Sequence, residues 1–333
     1  MKRKYTSILF VFIMCALAIL GVACNKYSKE KENVPDVSRV EKIKIATLKG
    51  PTGLGAVKLM EDKKDSYNIT VYDSPDQLVG KVINGEVDAA MVPSNMASVL
   101  YNKTNGEVEF VAINTLGVLY IVENGNSVQD IKNIKGKTLY STGKGTVPEY
   151  VLKYILKNNN IDPEKDVNIQ YKGTHTELAT AVASKEVDLA MLPEPFVTIA
   201  KSKDKDLNVP IDLSKEWEKV SEGKSKLVMG TLIFRKDFIE KRPTDLKRFV
   251  EDYKNSIKFT NENLKEAGEL AEKYGIIPNA KIAEDAIPKC NIVFIDGKEG
   301  ENAMEGFLKV LMEYNPKTIG GKLPDANFYY KTK

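Results

Sequence analysis

Two nine-residue stretches of the chain echo each other, GEVDAAMVP at 85–93 and KEVDLAMLP at 185–193. They lie 100 residues apart and share the pattern Glu-Val-Asp-x-Ala-Met-x-Pro. In each copy an acidic turn precedes a short apolar run that ends in proline, which is typical of a buried strand with proline at its exit. The repeat predicts two lobes of similar α/β build that face each other, and chance likeness between two αβ units is the alternative.

Around each copy, apolar strands alternate with helical stretches of about ten residues, a pattern typical of βαβ units and a largely parallel sheet. The run Val108–Glu123 is β-rich, with Gly117 as a bend. After Leu227–Phe234 the pattern is mostly helical. Strands are predicted at 43–48, 69–72, 89–92, 138–141, 167–171 and 189–192, and helices at 56–62, 75–84, 96–101, 148–157, 174–183, 195–201, 244–259, 262–274, 280–287 and 301–314.

The length of 333 residues corresponds to roughly two domains. Apolar residues make up 42% of the chain and charged residues 29%, which is ordinary globular composition. Only five of the 49 basic residues are arginine, which argues against a nucleic-acid partner. One histidine and three cysteines exclude most metal sites rich in those residues, so we expect neither a metal nor another cofactor.

The N-terminus has the pattern of an export signal. Lys2, Arg3 and Lys4 precede an uncharged apolar run that ends at Ala23-Cys24, and we expect residues 1–23 to be removed. This leaves 46 basic against 46 acidic residues. Cys24 follows small residues in a box resembling a lipoprotein cleavage site, although Gly21 stands where leucine is usual. An ordinary signal peptide and an uncleaved anchor are the alternatives. The polar stretch 24–41 is a predicted tether, with Cys24 lipidated.

These features together resemble the substrate-binding lipoprotein of an ABC importer. The Glu-Val-Asp-x-Ala-Met segments and the Pro-Glu-Pro at 193–195 resemble the family that serves sulfonates, taurine, nitrate and thiamine-type pyrimidines. That resemblance implies a type II solute-binding fold, with two Rossmann-like lobes joined by two crossing strands and the ligand in the cleft. The implied lobes are 42–122 plus 230–333 and 123–229, with crossings at Leu119–Asn124 and Leu227–Phe234.

Physical reasoning also places the cleft, because ligands of open α/β sheets bind outside the carboxyl ends of the strands. Serine and threonine at helix starts there are predicted to cap the helices and leave N–H groups facing outward. Each turn can instead be a plain helix cap, and His175 an exposed neighbour of one. The predicted ligand-binding residues are Thr52, Gly53, Ser94, Asn95, Asn114, Thr142, Thr146, His175 and Glu194.

The resemblance implies a monomer, without catalytic residues, that passes a small molecule to ABC permease subunits. It implies attachment through a lipid anchor to the outer face of the cell membrane, as in Gram-positive cells, or a periplasmic location. A ligand-sensing lipoprotein without transport is the alternative. The family also has an enzymatic relative that makes the thiamine pyrimidine with its own histidine and iron, but a single histidine and an export signal argue against that activity here.

Scarce arginine makes a neutral or weakly charged heterocycle a slightly better predicted ligand than an anion. An anion would depend on helix N-termini, on Lys144 or on Arg235. Sulfonates, nitrate, pyrimidines and flavins all remain open at this point.

Overall fold

The computed structural model describes residues 41–331. The predicted signal segment, Cys24 and almost all of the predicted tether lie outside these residues. None of the helices between 41 and 331 combines the length and the apolar character needed to span a membrane.

The first of two sheets has six strands in the order β11-β4-β10-β3-β1-β2. Its parallel strands β1, β2 and β3 lie at one side, and β10 pairs antiparallel with both β3 and β4. The strands are β1 (Ile43–Leu48), β2 (Tyr67–Tyr72), β3 (Ala89–Pro93), β4 (Val108–Leu116), β10 (Val228–Arg235) and β11 (Ile292–Ile295). Its helices are α1 (Pro51–Leu54), α2 (Val57–Asp62), α3 (Pro75–Ile83), α4 (Ser94–Lys103), α9 (Lys236–Lys241), α10 (Pro243–Glu262), α11 (Leu264–Lys273), α12 (Ala280–Ala286) and α13 (Gly297–Tyr314).

The second sheet has five strands in the order β7-β6-β8-β5-β9. Here β6 pairs parallel with β7 and β8, and β5 pairs antiparallel with β8 and β9. The strands are β5 (Leu119–Glu123), β6 (Thr138–Ser141), β7 (Asn168–Tyr171), β8 (Leu189–Pro193) and β9 (Asn208–Asp212), and the helices are α5 (Val147–Asn158), α6 (His175–Ala183), α7 (Phe196–Lys203) and α8 (Leu213–Val220).

The echoed segments occupy corresponding places in the two sheets. β3 lies between a parallel neighbour, β1, and the antiparallel β10, and β8 lies likewise between β6 and the antiparallel β5. The turns before them also match, because Gly85 and Lys185 both adopt left-handed backbone angles, with φ of 70° and 62°. The repeat therefore reflects two similar lobes, and the predicted fold of two Rossmann-like lobes is confirmed.

The chain passes between the sheets twice. The first passage is short, at Gly117 and Val118 between β4 and β5, and the second follows α8 and ends where β10 begins at Val228. The strands predicted to cross, at 119–124 and 227–234, each lie almost entirely within one sheet instead. We call the part built on the first sheet the first lobe and the part built on the second the second lobe. Their boundaries as moving bodies stay a prediction.

One apolar cluster continues from the first lobe into the second. It contains Phe307 and Leu311 of α13 together with Val151 of α5 and Trp217 of α8. The Trp217 ring is completely buried and lies 4.5 Å from the ring of Tyr154 and 5.4 Å from that of Phe307. Helix α13 therefore packs on both lobes, and Trp217 packs between them.

Candidate functional site

The carboxyl ends of the parallel strands in both sheets point toward the passage between the lobes. β4 ends at Leu116, directly before the first passage, and β3 runs parallel to it beyond β10. In the second sheet β8 ends at Pro193, which pairs with Leu119 just after the same passage. The turns that follow these strand ends therefore form two facing edges, which we call the cleft edges.

On the second lobe the structure brings three side chains of the cleft edge together. Thr142 Oγ1 lies 2.7 Å from Nδ1 of His175, whose ring lies 5.1 Å from that of Phe196. Thr142 is buried, and burial lowers the pKa of His175. A neutral imidazole with one nitrogen held by a hydroxyl keeps its second nitrogen for another partner.

Glu194 is the most deeply buried acid at this edge, with 2% of its surface exposed. Its backbone N–H donates to Val118 O in the passage between the lobes (2.9 Å), and its Oε2 accepts the N–H of Thr198 in α7 (3.1 Å). No hydrogen-bonding group of residues 41–331 reaches its Oε1. Burial raises the pKa of Glu194, which favours the neutral acid.

A turn of the first lobe contacts the second lobe beside Glu194. Tyr120 of β5 donates its hydroxyl proton to the carbonyl oxygen of Lys289 (2.9 Å), and Asn291 donates from its amide to Gly117 O. Between them Cys290 is fully buried, and burial, followed by the charge of Glu194, raises the pKa of its thiol. We call this contact, made by Tyr120, Glu194, Lys289, Cys290 and Asn291, the lobe seam.

On the first lobe, Thr52, Gly53 and Asn114 form one cluster beneath α1. Asn114 is 1% exposed and donates from Nδ2 to Tyr253 Oη (3.0 Å) and to Thr52 O (3.3 Å). Its Oδ1 accepts the hydroxyl proton of Thr115 (3.1 Å). Internal hydrogen bonds therefore occupy the Asn114 amide.

Ser94 and Asn95 are likewise engaged within the first lobe. Ser94 is 1% exposed and donates its hydroxyl proton to Val228 O (2.6 Å), and Asn95 Nδ2 donates to Thr318 O (3.0 Å). These bonds fix the start of α4 against β10 and the 316–319 turn. Both residues lie at the predicted edge, with their donors already used.

The turn at 142–146 is held by a carboxylate from the helix that follows it. Glu149 accepts the N–H of Gly145 and forms an ion pair with Lys153 (2.8 Å). Thr146 is exposed, and its hydroxyl donates to Gly143 O rather than capping α5. Ser94 makes no side-chain cap either, so the predicted capping is wrong at both positions, whereas Thr174 does cap α6 by accepting the N–H of Glu177 (3.1 Å).

All three arginines between residues 41 and 331 lie at the opposite edge of the first sheet. Arg235 follows the far end of β10, where its Nε is 2.9 Å from Asp237 Oδ1 and its backbone bonds to Asp88 just before β3. Arg242 and Arg248 both pair with Asp245. Arg235 is therefore remote from the cleft edges, and the sequence-based suggestion that it could serve an anion there is wrong. Lys144 lies at the cleft edge, with Nζ 5.7 Å from the centre of the Tyr171 ring.

The arrangement of potential metal ligands also bears on what the site can do. Residues 41–331 contain no group of three or more His, Cys, Asp and Glu side chains placed to hold a metal ion.

Sequence reasoning missed the lobe seam, because Lys289, Cys290 and Asn291 lie in a short polar turn without periodicity. It also missed Phe196, whose ring packs on His175.

Three comparisons place the chain among known proteins. Residues 59–216 match the family described as ABC transporter, phosphonate, periplasmic substrate-binding protein. A crystal structure of an ABC transporter from Parabacteroides distasonis is similar, with a TM-score of 0.75 and 25% identity, covering 88% of this chain and 99% of that chain. The periplasmic aliphatic sulphonate binding protein SsuA from Escherichia coli shares the fold, with a TM-score of 0.68 and 13% identity, covering 88% of this chain and 93% of that chain.

A sequence relative is "Putative binding protein YtlA" of Bacillus subtilis (strain 168), 26% identical over 200 residues. That alignment covers 58% of this chain and 56% of the relative, so the chain spans little more than half the relative's length. These similarities confirm the likeness to substrate-binding proteins that the two echoed segments predicted.

Proposed function

We propose that this protein captures a small molecule between its lobes and delivers it to an ABC permease. In sequence over residues 59–216 and in fold, it is similar to periplasmic substrate-binding proteins of ABC transporters. The observation that carries the proposal is the pair of like-built lobes whose polar strand ends face each other across two chain passages. The proteins that it resembles are binding components, which supports a binding role over a catalytic one.

We centre the proposed ligand site on Thr142, His175 and Glu194. The His175 imidazole keeps one nitrogen free of Thr142, and Glu194 keeps an oxygen without a protein partner. The remaining members of the proposed wall are Thr52, Gly53, Ser94, Asn95, Asn114 and Thr146. For Ser94, Asn95 and Asn114 the contribution is one of shape, since their side-chain donors bond within the first lobe.

The charge distribution favours a neutral or weakly charged heterocycle as the ligand. Oxyanions are usually held by arginine forks, and the arginines of the described chain lie at the far edge of the first sheet. A neutral imidazole and a buried carboxyl are better matched to ring nitrogens and N–H groups. The competing class of ligand is the oxyanions, since the similar protein and family are named for sulphonate and phosphonate.

A thermal-shift screen of the lipid-free protein tests both classes. The panel contains sulfonates, nitrate, phosphonates, pyrimidines and flavins. A ligand present at 100 times its Kd stabilises the folded protein by ~2.7 kcal/mol, which is a readily measured shift. We expect a hit among the heterocycles. A shift only with oxyanions would contradict the ligand class, and no shift with any compound would contradict the proposed function for these solutes.

Calorimetry with the compound that binds then tests the site. Removing one hydrogen bond to a buried ligand group costs ~1–3 kcal/mol, or roughly 5- to 150-fold in affinity. We expect that loss for Glu194→Ala and His175→Ala. Glu186→Ala is the matched control, because Glu186 is exposed at the opposite end of β8. Affinities within twofold of wild type for both site variants would move the site elsewhere.

We also propose that Cys24 carries the lipid anchor on the outer face of the cell membrane. The support is the basic head, the apolar run and the small residues before Cys24. Mass spectrometry of the protein from membranes should find an acylated Cys24 as the first residue, and Cys24→Ala should abolish it. A free N-terminus beyond residue 24 would contradict the anchor while leaving the binding function intact.

A further inference from the structure

The lobe seam contains a buried carboxyl group, that of Glu194, at the place where the two lobes touch. Glu194 belongs to the second lobe, and the turn with Lys289 and Cys290 that lies beside it belongs to the first. Its Oε1 is buried without a hydrogen-bond partner among residues 41–331. A buried carboxylate oxygen without a donor is costly, whereas a protonated one costs much less.

The charged groups around the seam do not compensate a carboxylate. Burial raises the pKa of Glu194, and the hydrogen bonding of Thr198, followed by the charge of the exposed Lys289, only partly offsets that effect. The Tyr120 hydroxyl donates a hydrogen bond to the carbonyl oxygen of Lys289, and Cys290 is a buried neutral thiol. The charged side chains of the helices packed against α7 pair elsewhere. Lys281 of α12 pairs with Glu284 and Asp285, and Glu177 of α6 pairs with Lys172.

We propose that Glu194 couples closure of the lobes to uptake of a proton, so that the lobes close over the neutral carboxyl and separate at the seam when it ionises. The inference deepens the proposed function by naming what regulates the cleft, and it rests on that function only for its biological meaning. The proton bound on closing comes from solvent and resides on Glu194, and it returns to solvent on opening.

The direction of the pH dependence follows from the burial. In the open form Glu194 faces water and has the ordinary pKa of a glutamate, whereas burial raises its pKa in the closed form. The closed form is therefore fully favoured below the open-form pKa and loses that advantage as the pH rises through the closed-form pKa. Within this window the ratio of open to closed protein increases by up to about tenfold per pH unit.

Small-angle scattering measures separation of the lobes directly. The radius of gyration of the full chain without ligand is measured between pH 4.5 and 8 for wild type and for Glu194→Gln. We expect the wild-type radius to increase with pH and then level off, and the Glu194→Gln radius to stay constant. Glutamine keeps an oxygen for the Thr198 N–H and cannot ionise.

Controls separate this effect from others. Glu186→Gln, at the far end of β8, should behave like wild type. A wild-type radius that does not change with pH, or an equal change in Glu194→Gln, would overturn the proposal. Should Glu194→Gln fail to fold, the scattering of wild type alone decides, with an increase in the radius of gyration from pH 5 to pH 8 expected and a constant radius overturning it.

The test is independent of the ligand. A protein that binds a compound of the panel but shows no pH-dependent opening keeps the proposed function and loses this inference. A protein that opens as described but binds nothing keeps the inference and loses the proposed function.

Discussion

The amide of Asn114 should be worth more to the stability of the first lobe than the side chain of any other predicted site residue in that lobe. It is fully enclosed and makes three hydrogen bonds, to Tyr253 Oη, to Thr52 O and from the Thr115 hydroxyl. Asn114→Ala removes all three bonds. It also leaves the Thr52 carbonyl and the hydroxyls of the buried Tyr253 and Thr115 without this partner.

The structure sets the size of this effect. A net contribution of about 1 kcal/mol for each bond predicts a loss of about 2–4 kcal/mol in the free energy of unfolding. Tyr253→Phe removes only the bond to the phenol and should cost about 1 kcal/mol. Because both changes delete that shared bond, the double variant should lose about 1 kcal/mol less than the sum of the single ones.

Urea denaturation followed by far-UV circular dichroism measures these values. Asn95→Ala is the matched control, since this half-buried amide makes one bond, to Thr318 O, and its loss should cost about 1 kcal/mol. An Asn114→Ala variant no less stable than Asn95→Ala would refute the reasoning, and would return the Asn114 amide to the ligand.

Four further variants test the cleft edges and the repeat, with Gly80→Ala as the control for Gly53→Ala. Burial alone would raise the pKa of Glu149, but the ion pair with Lys153 and the backbone hydrogen bond of Gly145 lower it. The stability deficit of Glu149→Gln, measured by urea titration, should therefore shrink as the pH falls through the acidic range in which Glu149 takes up a proton, and a constant deficit would count against this role. Gly53→Ala places a methyl 2.3 Å from the carbonyl oxygen of Leu48 and should lower the free energy of unfolding by ~1–3 kcal/mol. Gly80→Ala adds its Cβ in open space and should raise the free energy of unfolding by up to ~1 kcal/mol. Equal melting temperatures for the two variants would contradict both expectations. Lys185→Gly should stabilise by about 0.5–1 kcal/mol by relieving a left-handed backbone, and a lower melting temperature would show that its side chain matters more.

The sequence predicted most of the fold because the strongest pattern in it has a direct structural cause. The segments 85–93 and 185–193 are buried strands at equivalent positions, so their apolar residues and exit prolines are constrained alike. The crossings were less predictable. Both β5 and β10 are apolar because they are central in their own sheets, and that pattern does not indicate which strand runs between lobes.

The candidate site was predictable as a set of positions but not as a set of free donors. Ser94, Asn95 and Asn114 lie at the edge that the strand ends define, yet their side chains bond to segments more than 60 residues away or across the lobe. Such partners depend on tertiary packing, which local composition does not encode. The seam beside Glu194 depends in the same way on a turn almost 100 residues later in the chain.

The shared apolar cluster has a consequence for the order in which the chain is made. All five strands of the second sheet have been synthesised once residue 212 is added, whereas the first sheet waits for β10 and β11. Phe307, which covers Trp217 from the first lobe, comes later still. A nascent chain therefore carries a nearly complete second lobe in which the side of Trp217 that Phe307 later contacts is still uncovered. That surface is buried only after α13 has been translated.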